Sequence, residues 1–342
     1  MRPVANPPNP WQAHHHDYSE WLAEPPSAPP ELYEEQARSI LSHNDSPDIP
    51  HRWSLNPYRG CHHGCAYCYA RPYHEYLGWG AGTDFETRLV AKVNAPVLLR
   101  RALMDPKWRG EMIAFSGVTD CYQPIEAVYQ LTRRCLEVCA EFRNPVGIIT
   151  KAALIRRDID VLQCLQRDAR LSVMVSLPVL DPVLARGIEP HVPTPAKRLE
   201  TIRVLADAGL PVGVAVSPVM PGLNDHEIPR ILKAAYAAGA RHCFYTPLRL
   251  HPSVQPGFFA AVDRAAPLRV ARLRAALAEA HAGDITGGRS GERFVGKGVR
   301  WQAMADLFES TARRLGYNAD GEDLSEPATT FQRPLAQMDL GL

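Results

Sequence analysis

Long apolar runs are missing from this 342-residue chain: nowhere do eighteen or more apolar residues follow one another, so no segment reads as a membrane-spanning helix. The first residues lack the charged-then-apolar layout of a secretory signal, and the expectation is a soluble, cytoplasmic protein. A bias of charge is missing too. Lysine plus arginine total 38 against 37 acidic residues, a net of +1, which gives no overall pull toward nucleic acid or a membrane surface and leaves only local basic patches open. Paired cysteines are scarce: a single C-x2-C occurs, so the two separated pairs of most structural zinc sites are absent. The eight cysteines are clustered in one loop or scattered through apolar segments, which suits a reducing compartment where thiols serve metals rather than disulfides. The length allows one large domain or two smaller ones with a substantial core.

What is present centres on residues 56–73, NPYRGCHHGCAYCYARPY. Cys61, Cys65 and Cys68 stand there in a C-x3-C-x2-C pattern, with Gly60 and Gly64 beside them. Three thiolates in one loop suit iron in a tetrahedral sulfur environment and can hold one face of an iron–sulfur cluster. A cubane cluster takes one more ligand than that. An iron left without a protein ligand keeps positions open for a small chelator, and S-adenosylmethionine (SAM) offers its amino group and carboxylate. An electron passed into the sulfonium then breaks a carbon–sulfur bond and releases a carbon radical, chemistry that the cofactors bring and the protein orients. The same cysteines with His62, His63 or His74 would instead make a structural zinc site, the alternative these residues leave open.

The run is similar to the cluster loop of radical SAM enzymes, whose signature is C-x3-C-x-aromatic-C, with Tyr67 in the aromatic slot. Its NxYRGCxHxCxYCYAR form resembles a bacterial subgroup with the look of spore photoproduct lyase. The resemblance implies a partial (β/α)6 TIM-like barrel, a 4Fe–4S cluster and SAM as cofactors, and Cys61, Cys65 and Cys68 as metal ligands. It further implies a 5′-deoxyadenosyl radical acting on an unknown substrate, and an electron donor such as flavodoxin or ferredoxin.

Along the chain, residues 1–48 are proline-rich and polar, read as a disordered tail in which His14, His15 and His16 carry no chemistry. Residues 49–262 read as the barrel. WSLN leads as a brief strand into the cysteine loop, and residues 83–93 have strand character. Apolar strands at about 111–117, 146–150, 171–177, 211–219 and 241–246 alternate with helices at about 95–104, 125–142, 158–168, 195–208 and 225–238. Such alternation marks a parallel sheet covered by helices. Gly209 and Gly239 close helices, and Asn224 with Glu227 reads as a capping box. Residues 263–318 read as a C-terminal extension with helices at about 267–281 and 301–315, and residues 319–342 as a second disordered tail.

On such a scaffold the site lies at the carboxyl ends of the strands. By resemblance to radical SAM proteins, where a glycine or acidic motif at this strand end meets the SAM amino group, Asp120 would accept a bond from it; otherwise it would cap the next helix. By resemblance to the lyase, Lys151 would meet the SAM carboxylate, Ser176 the ribose, and Tyr69 would stand near SAM. Arg198 would pair with the SAM carboxylate, or with a surface acid; Glu189 flanks the same loop. Residues 218–225 resemble the family's adenine-binding segment, where backbone and apolar groups, here at Val219 and Met220, would line the base. Cys121 follows Asp120 at the barrel mouth, where a thiol could hand a hydrogen atom to a substrate radical. In the lyase the donor cysteine precedes the threonine/serine-aspartate step, and Gly117 occupies that place here. Cys135, Cys139, Cys164 and Cys243 read as packing residues.

The stretch 283–301 carries Arg289, Arg293, Lys297 and Arg300 with Phe294 and Trp301 interleaved, which reads as a solvated loop bridging the barrel's open side or as a surface that follows nucleic acid. Three functions remain: a radical SAM enzyme, a DNA photoproduct lyase, and a zinc or iron–sulfur module that binds nucleic acid or senses redox state without turnover. The cysteine pattern makes a direct prediction. Replacing Cys61, Cys65 or Cys68 by alanine should take iron in the anaerobically reconstituted chain from about four per chain toward none, whereas Cys164→Ala should keep it, read by iron and sulfide analysis.

Overall fold

The alternating apolar segments build one seven-stranded sheet: β1 Leu41–His43, β2 Trp53–Leu55, β3 Ile113–Phe115, β4 Val146–Thr150, β5 Leu171–Ser176, β6 Val212–Val219 and β7 His242–Pro247. This computed structural model describes residues 2–3, 30–49, 51–283, 285–286, 291–319 and 329–334. The strands lie in chain order, with β2 to β7 parallel throughout and β1 antiparallel to β2 at the edge. Six parallel strands agree with the expected partial barrel. The sheet stays open, because its order ends at β1 and β7 and no ladder joins them among the described residues.

Helices follow the strands in turn: α1 Ala95–Met104, α2 Leu131–Glu141, α3 Ile159–Asp168, α4 Pro195–Asp207 and α5 Ile228–Ala237, then α6 Gln255–Ala265, α7 Val270–Ala280 and α8 Val299–Leu315. Helices α1 to α5 bury an apolar stripe in the main core with the sheet, whereas α6 and α7 bury theirs in a second core that includes Leu184 and Ile188. On α2, Cys135, Leu136 and Cys139 are fully buried in the main core, where the two thiols fill space beside strand residues such as Phe115 and Ile148. Burying one Leu or Ile side chain stabilises the fold by roughly 1.5–3 kcal/mol, so these stripes hold the layers together. Helix α8 covers the β7 edge, with Phe308 packed on Tyr245 at 4.5 Å between ring centres.

Several expectations change. The reading of residues 1–48 as disordered does not hold for Glu31–Glu35, which pairs in parallel with Arg88–Lys92, nor for β1. Leu32 drives this: it is buried with Tyr58, Leu89 and Ala91 in a small separate core, a signal masked by the prolines around it. Residues 83–93 split into a helical turn, Asp84–Thr87, and that Arg88–Lys92 strand, which belongs to a small second sheet rather than the barrel. The helix expected over 125–142 breaks at Gln130, whose φ of 51° is left-handed. Asn224 and Glu227 do not form a capping box: Asn224 donates to the carbonyls of Pro178 and Pro218, and Glu227 accepts from the Leu180 and Asp181 amides, fastening the loop after β5 to the loop after β6. Residues 329–334 of the second expected tail lie on the end of α2, where Phe331 stacks on Phe142 and the Gln332 amide donates to the Phe142 carbonyl. Residues 14–16 and Arg289 lie outside the described residues.

The break at Gln130 has a physical cause in Glu126. Its fully buried carboxylate accepts from the Thr132 and Arg133 amides and so supplies acceptors to the first turn of α2. It also accepts from the Tyr58 hydroxyl and from Arg157 at 2.7 Å, and Arg157 and Arg133 both hold the buried Asp158. Removing Arg157 would strand this charge. Arg157→Met is therefore expected to destabilise the chain by about 3–5 kcal/mol, the cost of a broken buried pair. Arg100→Gln, which breaks the exposed pair with Glu141, should cost under about 1 kcal/mol. Urea unfolding of both variants checks the contrast.

Candidate active site at the strand ends

The cysteine loop leaves the carboxyl end of β2 and is fixed by side chains on both flanks. Arg71, buried within the loop, makes five hydrogen bonds: to the carbonyls of Cys65, Gly64, Ala81 and Gly82 and to the Glu86 carboxylate. From the loop after β3, the Gln123 side chain accepts from the His62 amide and donates to the Gly60 carbonyl, 2.9 Å each. Asn56 accepts from the Val118 amide, and the Cys61 amide donates to the Phe85 carbonyl. Gly60 has φ +71°, and a Cβ there would come within 2.8 Å of the Arg88 carbonyl, so only glycine fits the turn.

The three thiols are free and held in a largely buried setting. Burial pushes the Cys65 thiol up to about 12, against the pull of the Lys151 ammonium, and burial also raises Cys61 and Cys68. A bound metal would supply the positive charge that thiolates in this setting need. Each histidine that a zinc site would draw on has one ring nitrogen in a contact, His62 Nδ1 with the Glu86 carbonyl, His63 Nδ1 facing Asp120 at 3.4 Å and His74 Nε2 with the Arg88 carbonyl, which leaves the other nitrogen to be judged by where it lies. Among the described residues no three such side chains converge on one point. A single zinc ion needs that convergence, whereas the cysteines of a cubane each serve a different iron. The donor set therefore fits a cluster held by Cys61, Cys65 and Cys68.

The residues expected to reach for SAM divide into two groups. Lys151 follows β4 with its ammonium 5.7 Å from the centre of the Tyr67 ring. Ser176 ends β5 and is buried, its hydroxyl donating to the Ser217 carbonyl at 3.1 Å. Tyr69 is 57% exposed at the mouth, and its hydroxyl donates to the Gly117 carbonyl. A residue the sequence did not single out, Thr119, has a buried hydroxyl without a hydrogen-bond partner among the described residues.

The second group is corrected by the structure. Asp120 accepts from the Tyr122 and Lys151 amides and the Thr150 hydroxyl, and faces His63. Burial alone would raise this carboxyl, but His63 and those donors hold it at about 2. Its acceptor positions are spent on joining three loops, so it neither caps a helix nor has room for the SAM amino group. Arg198 does not face the mouth and pairs with no surface acid: it is 1% exposed, bonded to Glu189 and to the Pro193 and Ser176 carbonyls, while Glu189 accepts from the Tyr67 hydroxyl. Tyr67 is thus held from beneath. Val219 is fully buried in the main core and its carbonyl accepts from the Leu248 amide, so its side chain offers no face to a base; Met220 is buried in the second core. Cys121 is also fully buried, with burial raising its thiol, and cannot meet a substrate at the mouth. Gly117 is crowded by Ser54 and Asn56, 3.2–3.4 Å from where a Cβ would stand.

The basic C-terminal stretch is mostly paired. Lys297 bonds Glu292, Arg300 meets Glu279 at 3.8 Å, and Trp301 is buried against Tyr245. The Gly291 and Arg293 amides donate to Asp48, in the loop between β1 and β2, so the stretch bridges the open side of the sheet.

The model of the Radical SAM superfamily matches residues 55–235. An uncharacterised protein of Mycobacterium tuberculosis is 40% identical over 228 residues, 66% of this chain and 67% of that one. An uncharacterised protein of Methanocaldococcus jannaschii is 31% identical over 179 residues, 52% of this chain and 63% of that one. Among solved structures, a spore photoproduct lyase with bound AdoMet and dinucleoside spore photoproduct aligns with a TM-score of 0.54 at 15% identity, covering 83% of this chain and 78% of the lyase. At that identity the likeness speaks for the fold.

Arg71 and Gln123 carried no role in the sequence reading. Arg71 sits inside the cysteine motif, where a cation among buried carbonyls is a usable signal; Gln123 gave none. Arg71→Lys keeps the charge but has fewer donors and no planar fork, leaving buried loop carbonyls bare at about 1–3 kcal/mol each. The expected result is at least a halving, roughly, of bound iron with near-native far-UV circular dichroism, read by metal analysis and spectroscopy.

Proposed function

The chain belongs to the radical SAM superfamily, and from that premise we propose that it is an enzyme that reductively cleaves SAM at a 4Fe–4S cluster and turns the resulting radical on an organic substrate. The superfamily's cofactors are a 4Fe–4S cluster and SAM. When bound, the cluster supplies the electron that breaks the sulfonium carbon–sulfur bond. This chain's own residues would do the holding. Cys61, Cys65 and Cys68 bind the cluster, and the Arg71 and Gln123 bonds keep their loop in one shape. Lys151, whose ammonium lies over the Tyr67 ring, would hold the SAM carboxylate, and Ser176 at the end of β5 would meet the ribose. The Glu189–Arg198 pair fixes Tyr67 and with it the floor on which Lys151 rests. The bare Thr119 hydroxyl is a further contact for a polar group of SAM.

The observation that carries this reading is the pinned three-cysteine loop with the Lys151 ammonium beside it, on the strand-end face of a parallel sheet. Superfamily members need a substrate and a reductant; here the reductant is proposed to be a small electron carrier such as flavodoxin or ferredoxin. Photoproduct repair is not part of the proposal, since Gly117 stands in the donor position and Cys121 is sealed in the core.

The test is anaerobic reconstitution with iron and sulfide, reduction with dithionite, and measurement of deoxyadenosine from SAM together with the SAM-induced change in the electron paramagnetic spectrum. No change in the spectrum and intact SAM would refute the reading. Lys151→Met is expected to raise the SAM concentration for half-maximal cleavage about tenfold or more, the loss of one bond to a charged group.

A further inference from the structure

Arg249 lies two residues past the end of β7 and so at the same carboxyl ends as the cysteine loop. It is half-buried, its Nε is fully shielded from solvent without a hydrogen-bond partner, and among the described residues it has no ion pair. The charges that act on it are those of Arg293, Asp48 and the Tyr73 hydroxyl. Asp48 does not serve it. Both Asp48 oxygens are taken, by the Gly291 and Arg293 amides and the Ser46 hydroxyl, and its closest cation is Arg293 at 3.5 Å. Burial is what disfavours the Arg249 charge most, and the charge of Arg293, whose own Nε is likewise shielded without a hydrogen-bond partner among the described residues, adds to it.

A partly buried cation without a counter-ion destabilises a fold unless an anion completes it. Just after the cluster cysteines, Tyr73 is 51% exposed and Tyr76, 6.3 Å from it between ring centres, is 84% exposed. We infer that Arg249 and Arg293 form a phosphate subsite at the open seam of the sheet, beside Tyr73, which holds a phosphate group of the substrate. The two guanidiniums come from separate segments, one after β7 and one from the loop bridging to Asp48. A tetrahedral phosphate can present different oxygens to each, whereas a carboxylate offers a single edge. The word substrate rests on the radical SAM reading; the subsite itself does not.

The experiment is calorimetric titration of the full-length reconstituted chain with pyrophosphate, without reductant or SAM. Wild type should bind; Arg249→Met and Arg293→Met should each weaken binding about tenfold or more, and Arg203→Met on exposed α4 surface should leave it unchanged. Wild type that does not bind, or an Arg249→Met variant that binds equally, overturns the proposal. A phosphorylated sugar and a phosphorylated trinucleotide are then used as competitors. Displacement by either supports the subsite and tells a phosphomonoester from a nucleic-acid strand; failure of both marks an adventitious ion only and overturns it. Thermal unfolding in phosphate-free buffer is the second readout. Arg249→Met should melt at or above the wild-type temperature, because it removes an uncompensated charge. A lower melting temperature would make Arg249 a packing residue and sink the proposal. Because this titration needs no SAM cleavage, its failure is distinguishable from a failure of the deoxyadenosine assay.

Discussion

A loop that presents three thiols inside a protein has many backbone carbonyls and no ladder to satisfy them. Arg71 answers this from within the loop. Its planar guanidinium takes carbonyls from the cysteine run on one side and from residues 81 and 82 on the other, with Glu86 closing the ring. A buried carbonyl left bare costs more than an ordinary hydrogen bond gains, so one cation here decides the shape of the whole segment. Everything downstream depends on that shape: where the sulfurs stand, how Tyr67 lies, and where the loop meets the strand ends.

The rest of the mouth follows the same economy of charge. Asp120, Glu189 and Arg198 sit where ligand contacts are expected, yet each is spent on joining elements of the protein to one another. Burial explains this, because an ionised group out of water needs its partners present at all times and not only when a ligand arrives. The cations left without such partners are then the informative ones. Lys151 has a ring face for company and Arg249 has another cation, and both lie at the carboxyl ends of the parallel strands.

Openness of the sheet sets the geography. Among the described residues β7 and β1 do not pair, and the segment from Gly291 to Arg293 reaches across to rest on Asp48. The basic letters of that loop are drawn into pairs with Glu292 and Glu279, and its tryptophan is turned into the core. What remains accessible at the seam is a narrower set: a pair of arginines and the exposed tyrosines after the cluster loop.

By itself the sequence determined the alternation of strand and helix and the cysteine loop, since periodicity and a fixed ligand spacing are local properties of neighbouring residues. It also placed Lys151 and Ser176 correctly at strand ends. It misjudged Arg198, Val219 and Cys121, because whether a side chain at a strand end faces the mouth or the core depends on which distant segment packs against it. The strand around Leu32 and the break at Gln130 were illegible for the same reason: one needs Leu89 beside it, the other the Glu126 carboxylate held by Tyr58 and Arg157. Tertiary structure decided which charges are spent and which are left over, because pairing in a low-dielectric interior is settled between residues far apart in the chain.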